Sequence, residues 1–294
     1  MTQVLIVFNP VSGSGRQALV HEVADILQQQ GCAVTLYPTQ HAGDATHYLQ
    51  HCEGTLDIVV AAGGDGTVNE VVNGLLERDN QSYRLAVIPA GTTNVLAMEL
   101  GLGKHARQIA DVILRGREKA VYPGRINGRR FLLMAGIGYD AWVVDNVSLA
   151  LKKKTGKLAY VVSMIRQLGK FGRKTYQVEA DGQSYQANSV VITNGRYYGG
   201  SFILSRSADL SRSDTQVLMI RAKNPLTFLF TLLGLPLGIM EKMPGITSVA
   251  AREVIVTDAD ALAGREPVQA DGDSLTELPL TLKMEEQPLR MLVP

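Results

Sequence analysis

The first hundred residues alternate between short, unbroken apolar runs and stretches whose apolar positions recur at helical spacing, and that alternation leaves few folds open. Val4-Leu5-Ile6-Val7-Phe8 is too continuously apolar to have a solvated face. Residues 17–29 follow, with Leu19, Val20, Val23, Ile26 and Leu27 at helical spacing and Gly31 placed to end the helix. Strand signals recur at 33–37, 58–62 and 85–89, with helical patterns at 43–51, 67–77 and 93–99. Strands buried on both faces and joined by helices form a covered parallel sheet, which predicts a Rossmann-like α/β domain.

Beyond residue 122 the pattern changes. Phe131-Leu132-Leu133-Met134 and the runs 176–180, 189–193, 216–220 and 253–257 are strand-length, and several alternate apolar with polar residues. Helical blocks at 156–170 and 225–240 interrupt them. A second, mainly antiparallel β domain is expected.

Charge is segregated as well. The first 103 residues carry 3 Lys/Arg against 10 Asp/Glu, residues 104–174 carry 16 against 4, and the remainder 10 against 14. The net charge of +1 therefore conceals a basic middle section, which either meets an anionic surface or is a solvated helical face. Cys32 and Cys52 are too few for a disulfide framework, and no basic segment precedes the first apolar run, so a reduced cytosolic compartment is expected. Asn224 to Met240 carry no charge, but Pro225, Gly234, Pro236 and Gly238 interrupt them. That stretch reads as a buried or surface-docking helix ending near Gly234, not as a membrane span.

In open parallel sheets, ligands gather at the carboxyl ends of the strands. Three such ends are rich in glycine and small polar residues: Asn9-Pro10-Val11-Ser12-Gly13-Ser14-Gly15-Arg16, Gly63-Gly64-Asp65-Gly66-Thr67-Val68-Asn69-Glu70, and Pro89-Ala90-Gly91-Thr92-Thr93-Asn94. Each alone is an ordinary tight turn. Three on one sheet edge form a phosphate site, because glycines let backbone N–H groups close on oxygens and helix N-termini add favourable dipole ends. The P-loop pattern is absent. Gly13-Ser14-Gly15-Arg16-Gln17-Ala18 formally matches a dinucleotide fingerprint, but Tyr37-Pro38-Thr39 ends the second strand without the ribose-binding acid.

Taken in order, Gly63-Gly64-Asp65-Gly66-Thr67, Gly91-Thr92-Thr93-Asn94 and, far downstream, Asp271-Gly272-Asp273 resemble the diacylglycerol kinase catalytic-domain family, which includes bacterial lipid kinases and the sphingosine kinases. Asn9-Pro10 with Gly13, Thr39 with Gly43-Asp44-Ala45, Gly136 to Asp140, Gly156 to Tyr160, Asn194-Gly195 and Gly199-Gly200 extend the resemblance over nearly the whole chain. The first of these motifs alone is shared with NAD kinases. The resemblance implies an α/β nucleotide domain of residues 1–122 and about 275–294, and a β-sandwich lipid domain of residues 123–274. It places ATP against Asn9, Gly13, Ser14, Gly15, Arg16, Thr39, Gly63, Gly64, Asp65, Gly66, Thr67, Asn69, Glu70, Gly91, Thr92 and Asn94. The family's acid pair maps onto Asp271 and Asp273, one of which would take the proton of a lipid hydroxyl. Mg2+ would accompany ATP, with Asp65 acting through water, and Arg16 is a candidate phosphate clamp. Diacylglycerol is the default acceptor; phosphatidylglycerol and sphingoid bases are the others considered.

Two departures stand out. Asp273 replaces the family's usual Glu. Arg212, within Ala208-Asp209-Leu210-Ser211-Arg212-Ser213-Asp214, occupies the position of an acid that holds a structural Mg2+, and no metal is expected there. Arg129, Arg130, Lys152-Lys153-Lys154, Lys157, Lys170, Arg173 and Lys174 are candidates for contact with anionic lipid on the inner face of a membrane, with the 225–240 stretch beside them. No nucleic-acid partner is expected, and a homodimer is left open. The alternatives are an NAD kinase and a non-catalytic protein that binds nucleotide and lipid.

Overall fold

The computed structural model describes residues 1–11, 16–78, 82–146, 174–222, 224–259 and 265–294. The helix expected at 156–170, together with Lys152, Lys153, Lys154, Lys157, Lys170 and Arg173, lies outside them. The described chain divides into two compact units, Met1–Val121 with Gln287–Pro294, and Tyr122–Glu286.

The first unit is built on β1 (Gln3–Phe8), β2 (Ala33–Pro38), β3 (Ile58–Gly63), β4 (Arg84–Pro89), β5 (Arg117–Val121) and, from the carboxyl end of the chain, β20 (Leu289–Val293). Their order is β2-β1-β3-β4-β20-β5. The sheet is parallel through β4, and β20 runs parallel to β4 and antiparallel to β5. Helices α1 (Gln17–Gln29), α2 (Asp44–His51), α3 (Asp65–Leu75), α4 (Val95–Glu99) and α5 (Ala106–Arg115) join these strands. Val59, Val60 and Ala61 are wholly buried, as a strand covered on both faces requires. Helix α3 begins at Asp65, two residues before the expected start, because Gly64 is still extended (φ −87°, ψ −177°) and is the last residue outside the helix. Helix α5 was not anticipated. Its stripe Ala106, Ile109, Ala110 and Ile113 is buried at i, i+3, i+4, i+7 spacing, hidden in sequence among the charges of the basic section.

The second unit is a β-sandwich. One antiparallel sheet has the order β10-β9-β16-β19-β6-β7, from β6 (Gly124–Ile126), β7 (Arg129–Phe131), β9 (Tyr176–Ala180), β10 (Gln183–Ala187), β16 (Glu253–Asp258) and β19 (Leu280–Met284). The other is β15-β14-β11-β8-β17-β18, from β8 (Met134–Ile137), β11 (Ser189–Thr193), β14 (Thr215–Ile220), β15 (Ile246–Ala251), β17 (Pro267–Ala270) and β18 (Asp273–Glu277). A hairpin of β12 (Tyr197–Tyr198) and β13 (Phe202–Ile203), helix α6 (Tyr139–Asp145) and the short helices α7 (Pro225–Leu232) and α8 (Gly234–Leu237) complete it. Phe131, Ile137, Val178, Val190, Val217, Val254 and Leu282 share one core.

Two expectations are corrected here. The carboxyl-terminal return to the first unit begins at Gln287, not near 275, because β18 and β19 both belong to the sandwich. The run 131–134 is not one strand: it breaks at Leu132-Leu133, whose N–H groups donate to the Asp271 carboxylate instead of a ladder partner. Among the described residues no helix is long and apolar enough to cross a membrane.

Candidate active site

The carboxyl ends of β1, β3 and β4 bring the expected loops of the first unit together. The N–H of Asn9 donates to the Ala62 carbonyl (3.2 Å), and its Oδ1 accepts the N–H of Val11 (3.0 Å). The N–H of Thr39 donates to the Phe8 carbonyl (2.9 Å), fixing the end of β2 beside that of β1. Gly63 accepts at its carbonyl from the N–H groups of Ala90 (3.0 Å) and Gly91 (3.1 Å), which locks the β3 loop to the β4 loop. Gly13, Ser14 and Gly15 lie outside the described residues.

Gly91 is glycine for a steric reason. A Cβ there would overlap the Cα of Gly64 and stand 2.9 Å from its nitrogen. Asn94, in the left-handed region (φ 52°), holds the same turn closed: its Oδ1 accepts the Gly91 N–H (2.8 Å) and its Nδ2 donates to the Gly91 carbonyl (2.8 Å). Thr92 is exposed at the tip. Arg16 reaches in from the first loop, its Nη1 donating to the carbonyls of Pro89 (3.2 Å) and Gly91. One guanidinium nitrogen of the expected phosphate clamp is therefore committed to bracing the third loop.

Two helices start at this edge, and they differ in what they leave open. At α4 the N–H groups of Val95 and Leu96 each donate to a carboxylate oxygen of Asp65 (both 3.0 Å). That helix end is already matched with an anion. At α3 no side chain caps the N-terminus, and the N–H groups of Gly66 and Thr67 have no partner among the described residues. Uncapped N–H groups at a helix start form a ready phosphate site. The open N–H groups thus belong to the Gly64 to Thr67 turn, which the Gly91 to Asn94 loop braces. Asn69 and Glu70 lie further along α3. Asn69 accepts from Asn73 Nδ2 at its carbonyl (2.9 Å) and its Oδ1 (3.0 Å), and the Glu70 carbonyl accepts from Thr46 Oγ1 (2.8 Å).

Burial pushes the Asp65 carboxyl above its usual range, against the pull of the Leu96 and Val95 N–H groups. Each of its oxygens accepts one of these N–H groups and keeps a lone pair for water, so the residue fits a water-mediated role toward the metal of a bound nucleotide. The 208–214 loop does not fit a metal. Arg212 Nε and Nη2 grip the two oxygens of Asp214 (2.7 and 2.6 Å), and Asp209 Oδ1 accepts the N–H of Ser211 (2.9 Å). A fixed cation stands where a metal would need an acid.

In the second unit the two acids of Asp271-Gly272-Asp273 separate by role. Asp271 has φ 51°, and its carboxylate accepts the N–H groups of Leu132 (2.8 Å), Leu133 (2.8 Å) and Met134 (3.1 Å). It is an anchor for the break between β7 and β8. Asp273 is exposed at the start of β18. The turn is braced by a buried network that sequence reading did not identify. Gln269 Oε1 accepts the Gly272 N–H (3.0 Å), while Gln269 Nε2 and the Tyr198 hydroxyl both donate to Asp140. Burial raises the Asp140 carboxyl above its usual range. Only the Gly136 to Asp140 motif hinted at this network; nothing in sequence marked Gln269.

The basic section is corrected in two places. Arg130 is buried and paired with Glu285 (2.8 Å), and Lys174 is paired with Glu266 and Asp258, so neither is available to an anionic surface.

Residues 3–126 match the family described as "Diacylglycerol kinase catalytic domain", and residues 134–293 match the "YegS C-terminal NAD kinase beta sandwich-like domain". A protein of Bacillus subtilis (strain 168) named "Diacylglycerol kinase" is 32% identical over 236 residues, covering 78% of this chain and 77% of its own. One of the same name from Staphylococcus aureus (strain JH9) is 32% identical over 194 residues, 65% of this chain and 61% of its own. The crystal structure of a diacylglycerol kinase from Bacillus anthracis str. Sterne superposes with a TM-score of 0.82 at 26% identity, covering 100% of this chain and 97% of that one. The chain belongs to the diacylglycerol kinase catalytic-domain family, and it is a kinase, a phosphotransferase.

Proposed function

We propose that the protein transfers the γ-phosphate of ATP to a lipid hydroxyl, with diacylglycerol the default acceptor. The observation that carries this reading is the uncapped start of α3, where the N–H groups of Gly66 and Thr67 have no partner among the described residues. In the proposed mechanism these N–H groups hold ATP phosphate oxygens, aided by the first loop and Thr39. Asp65 would hold water toward Mg2+, which when bound would offset the charge on the phosphates. Asp273 accepts the proton of the lipid hydroxyl as its oxygen attacks the γ-phosphorus and the bond to the departing ADP breaks, while Asp271 keeps its backbone-anchoring role. Contact with an anionic membrane surface gives access to the acceptor.

The test is an assay of purified protein with labelled ATP and Mg2+ against diacylglycerols, phosphatidylglycerol, sphingoid bases and NAD. Labelled phosphatidic acid is the expected product. Label in NADP alone, or in no acceptor at all, overturns the proposal.

A further inference from the structure

Helix α7 turns the wrong face outward for a globular protein. Asn224 and Thr227 form a capping box and Pro225 occupies the first turn, so the helix is well started. Inward, Phe228 packs edge-on against the Tyr139 ring (centroids 4.7 Å apart), and Thr231 is buried. Leu226, Leu229, Phe230 and Leu233, at i, i+3, i+4, i+7 spacing, form the stripe that normally faces a core, and all are exposed, Leu226 by 78%. Leu237 of α8 extends the stripe (64% exposed), and Phe202 of β13, the strand beneath α8, is 47% exposed.

The exposed charges that flank α8 are Arg206 and Lys242. No acid occurs between Asn224 and Met240. Glu241, partly buried, is engaged in accepting from Ser205 Oγ (2.7 Å) and the Arg206 N–H (2.9 Å). Arg206 closes the end of α8, its Nε donating to the Gly238 carbonyl (2.9 Å), and it and Lys242 are exposed. In a two-fold pair of this chain the same cations would face each other. An anionic bilayer instead complements both features, the acyl region taking the stripe and the headgroups the cations. The two helices, 12 residues in all, reach about 18 Å at 1.5 Å per residue, so they lie in an interface and do not cross it.

We propose that α7 and α8 form the surface by which the protein docks on an anionic membrane, with Leu226, Leu229, Phe230 and Leu233 entering the acyl region. The proposal gives a place to the membrane contact of the lipid-kinase reading and rests on that reading for its purpose, but binding is measurable without turnover.

The test is flotation of the full chain, without ATP, on phosphatidylcholine vesicles with and without phosphatidylglycerol. Wild type is compared with the combined variant Leu226→Gln, Leu229→Gln, Phe230→Gln, Leu233→Gln. The variant is expected to lose at least about tenfold in affinity for the anionic vesicles, with its melting temperature and its phosphorylation of a water-soluble short-chain diacylglycerol unchanged. Equal vesicle binding by the two proteins overturns the proposal, as does a wild-type dimer that the variant loses while keeping its vesicle binding. Selective loss of vesicle binding in proteins that phosphorylate no lipid supports the docking surface and sinks the kinase reading instead. Phe230→Trp, placed singly, guards against misfolding of the combined variant. Its emission is expected to be quenched by brominated acyl chains, and an unquenched signal also overturns the proposal.

Discussion

Gly91 and Gly64 meet backbone to backbone, and the fit is one-sided. A Cβ on Gly91 would overlap the Cα of Gly64, whereas a Cβ on Gly64 would sit 3.4 Å from the Cα of Gly91, an ordinary contact. Gly91→Ala is therefore expected to destabilise the protein by about 1–3 kcal/mol through overpacking. Gly64→Ala, at an extended residue any side chain tolerates, is expected to leave stability within about 0.5 kcal/mol of wild type. Urea denaturation of both variants checks the asymmetry, and equal losses would refute it. If the α3 start holds phosphate, Gly64→Ala should still weaken ATP binding, because the added methyl group crowds the approach to the cradle.

Asp65 links pH to stability in the opposite sense from a surface carboxylate. Burial raises its folded-state pKa above the unfolded value. A raised acid favours folding while it is protonated, and that contribution is lost as pH climbs from the unfolded value of about 3.9 through the raised folded value. Asp65→Asn cannot titrate, so stability measured relative to this variant should fall for wild type over that window and then level off. The Asn amide also turns N–H toward the N–H of Val95 or Leu96. Near neutral pH the variant is still expected to be less stable by about 1–3 kcal/mol, from donors left unmatched. A pH series of chemical denaturation separates the two effects.

Asp271 and Asp273 are two residues apart and are expected to fail differently. Asp271→Asn replaces one of the two oxygens that serve three backbone N–H groups with an NH2 donor, so stability and activity should fall together. Asp273→Asn should keep the wild-type melting temperature and lose about 100- to 10,000-fold in kcat, the range for removing a general base. Equal kcat losses with equal stability would refute the division of roles.

How far the sequence could be read depended on whether a residue's work was local. The unbroken apolar runs at 4–8, 58–62 and 85–89 declare a buried sheet because burial on both faces admits no polar alternation. The loops after those strands stand out only together, since one glycine-rich strand end is an ordinary tight turn and three on one sheet edge are not. What was illegible is long-range. Asp271 anchors Leu132 to Met134 across more than 130 residues of chain, and that pairing splits one apparent strand into two. The role of Asp65 at α4 spans 30 residues, so its motif suggested a phosphate or metal contact and hid the capping. The uncharged stretch from Asn224 to Met240 was visible as a helix, but lack of charge does not say which side of the helix is wet.

Arg212 and Asp214 give a prediction about metal. The guanidinium beside Asp214 holds its carboxyl below the usual range. A depressed acid contributes stability above its unfolded pKa and loses it as pH falls through the folded value, so Arg212→Ala should reduce the acid sensitivity of the fold. The Arg212 side chain is exposed and Asp214 partly so, and the effect at neutral pH should be small. Since the loop carries its own cation, a chelator should leave the melting temperature of nucleotide-free wild type unchanged. Arg212→Asp removes the cation and sets a third carboxylate beside Asp209 and Asp214. That variant should melt earlier than wild type without divalent metal and recover when Mg2+ is added, because a cation would again offset the repulsion. Calorimetry of both proteins across a Mg2+ series measures this. A wild-type melting temperature that falls on chelation would show that Arg212 does not replace the ion.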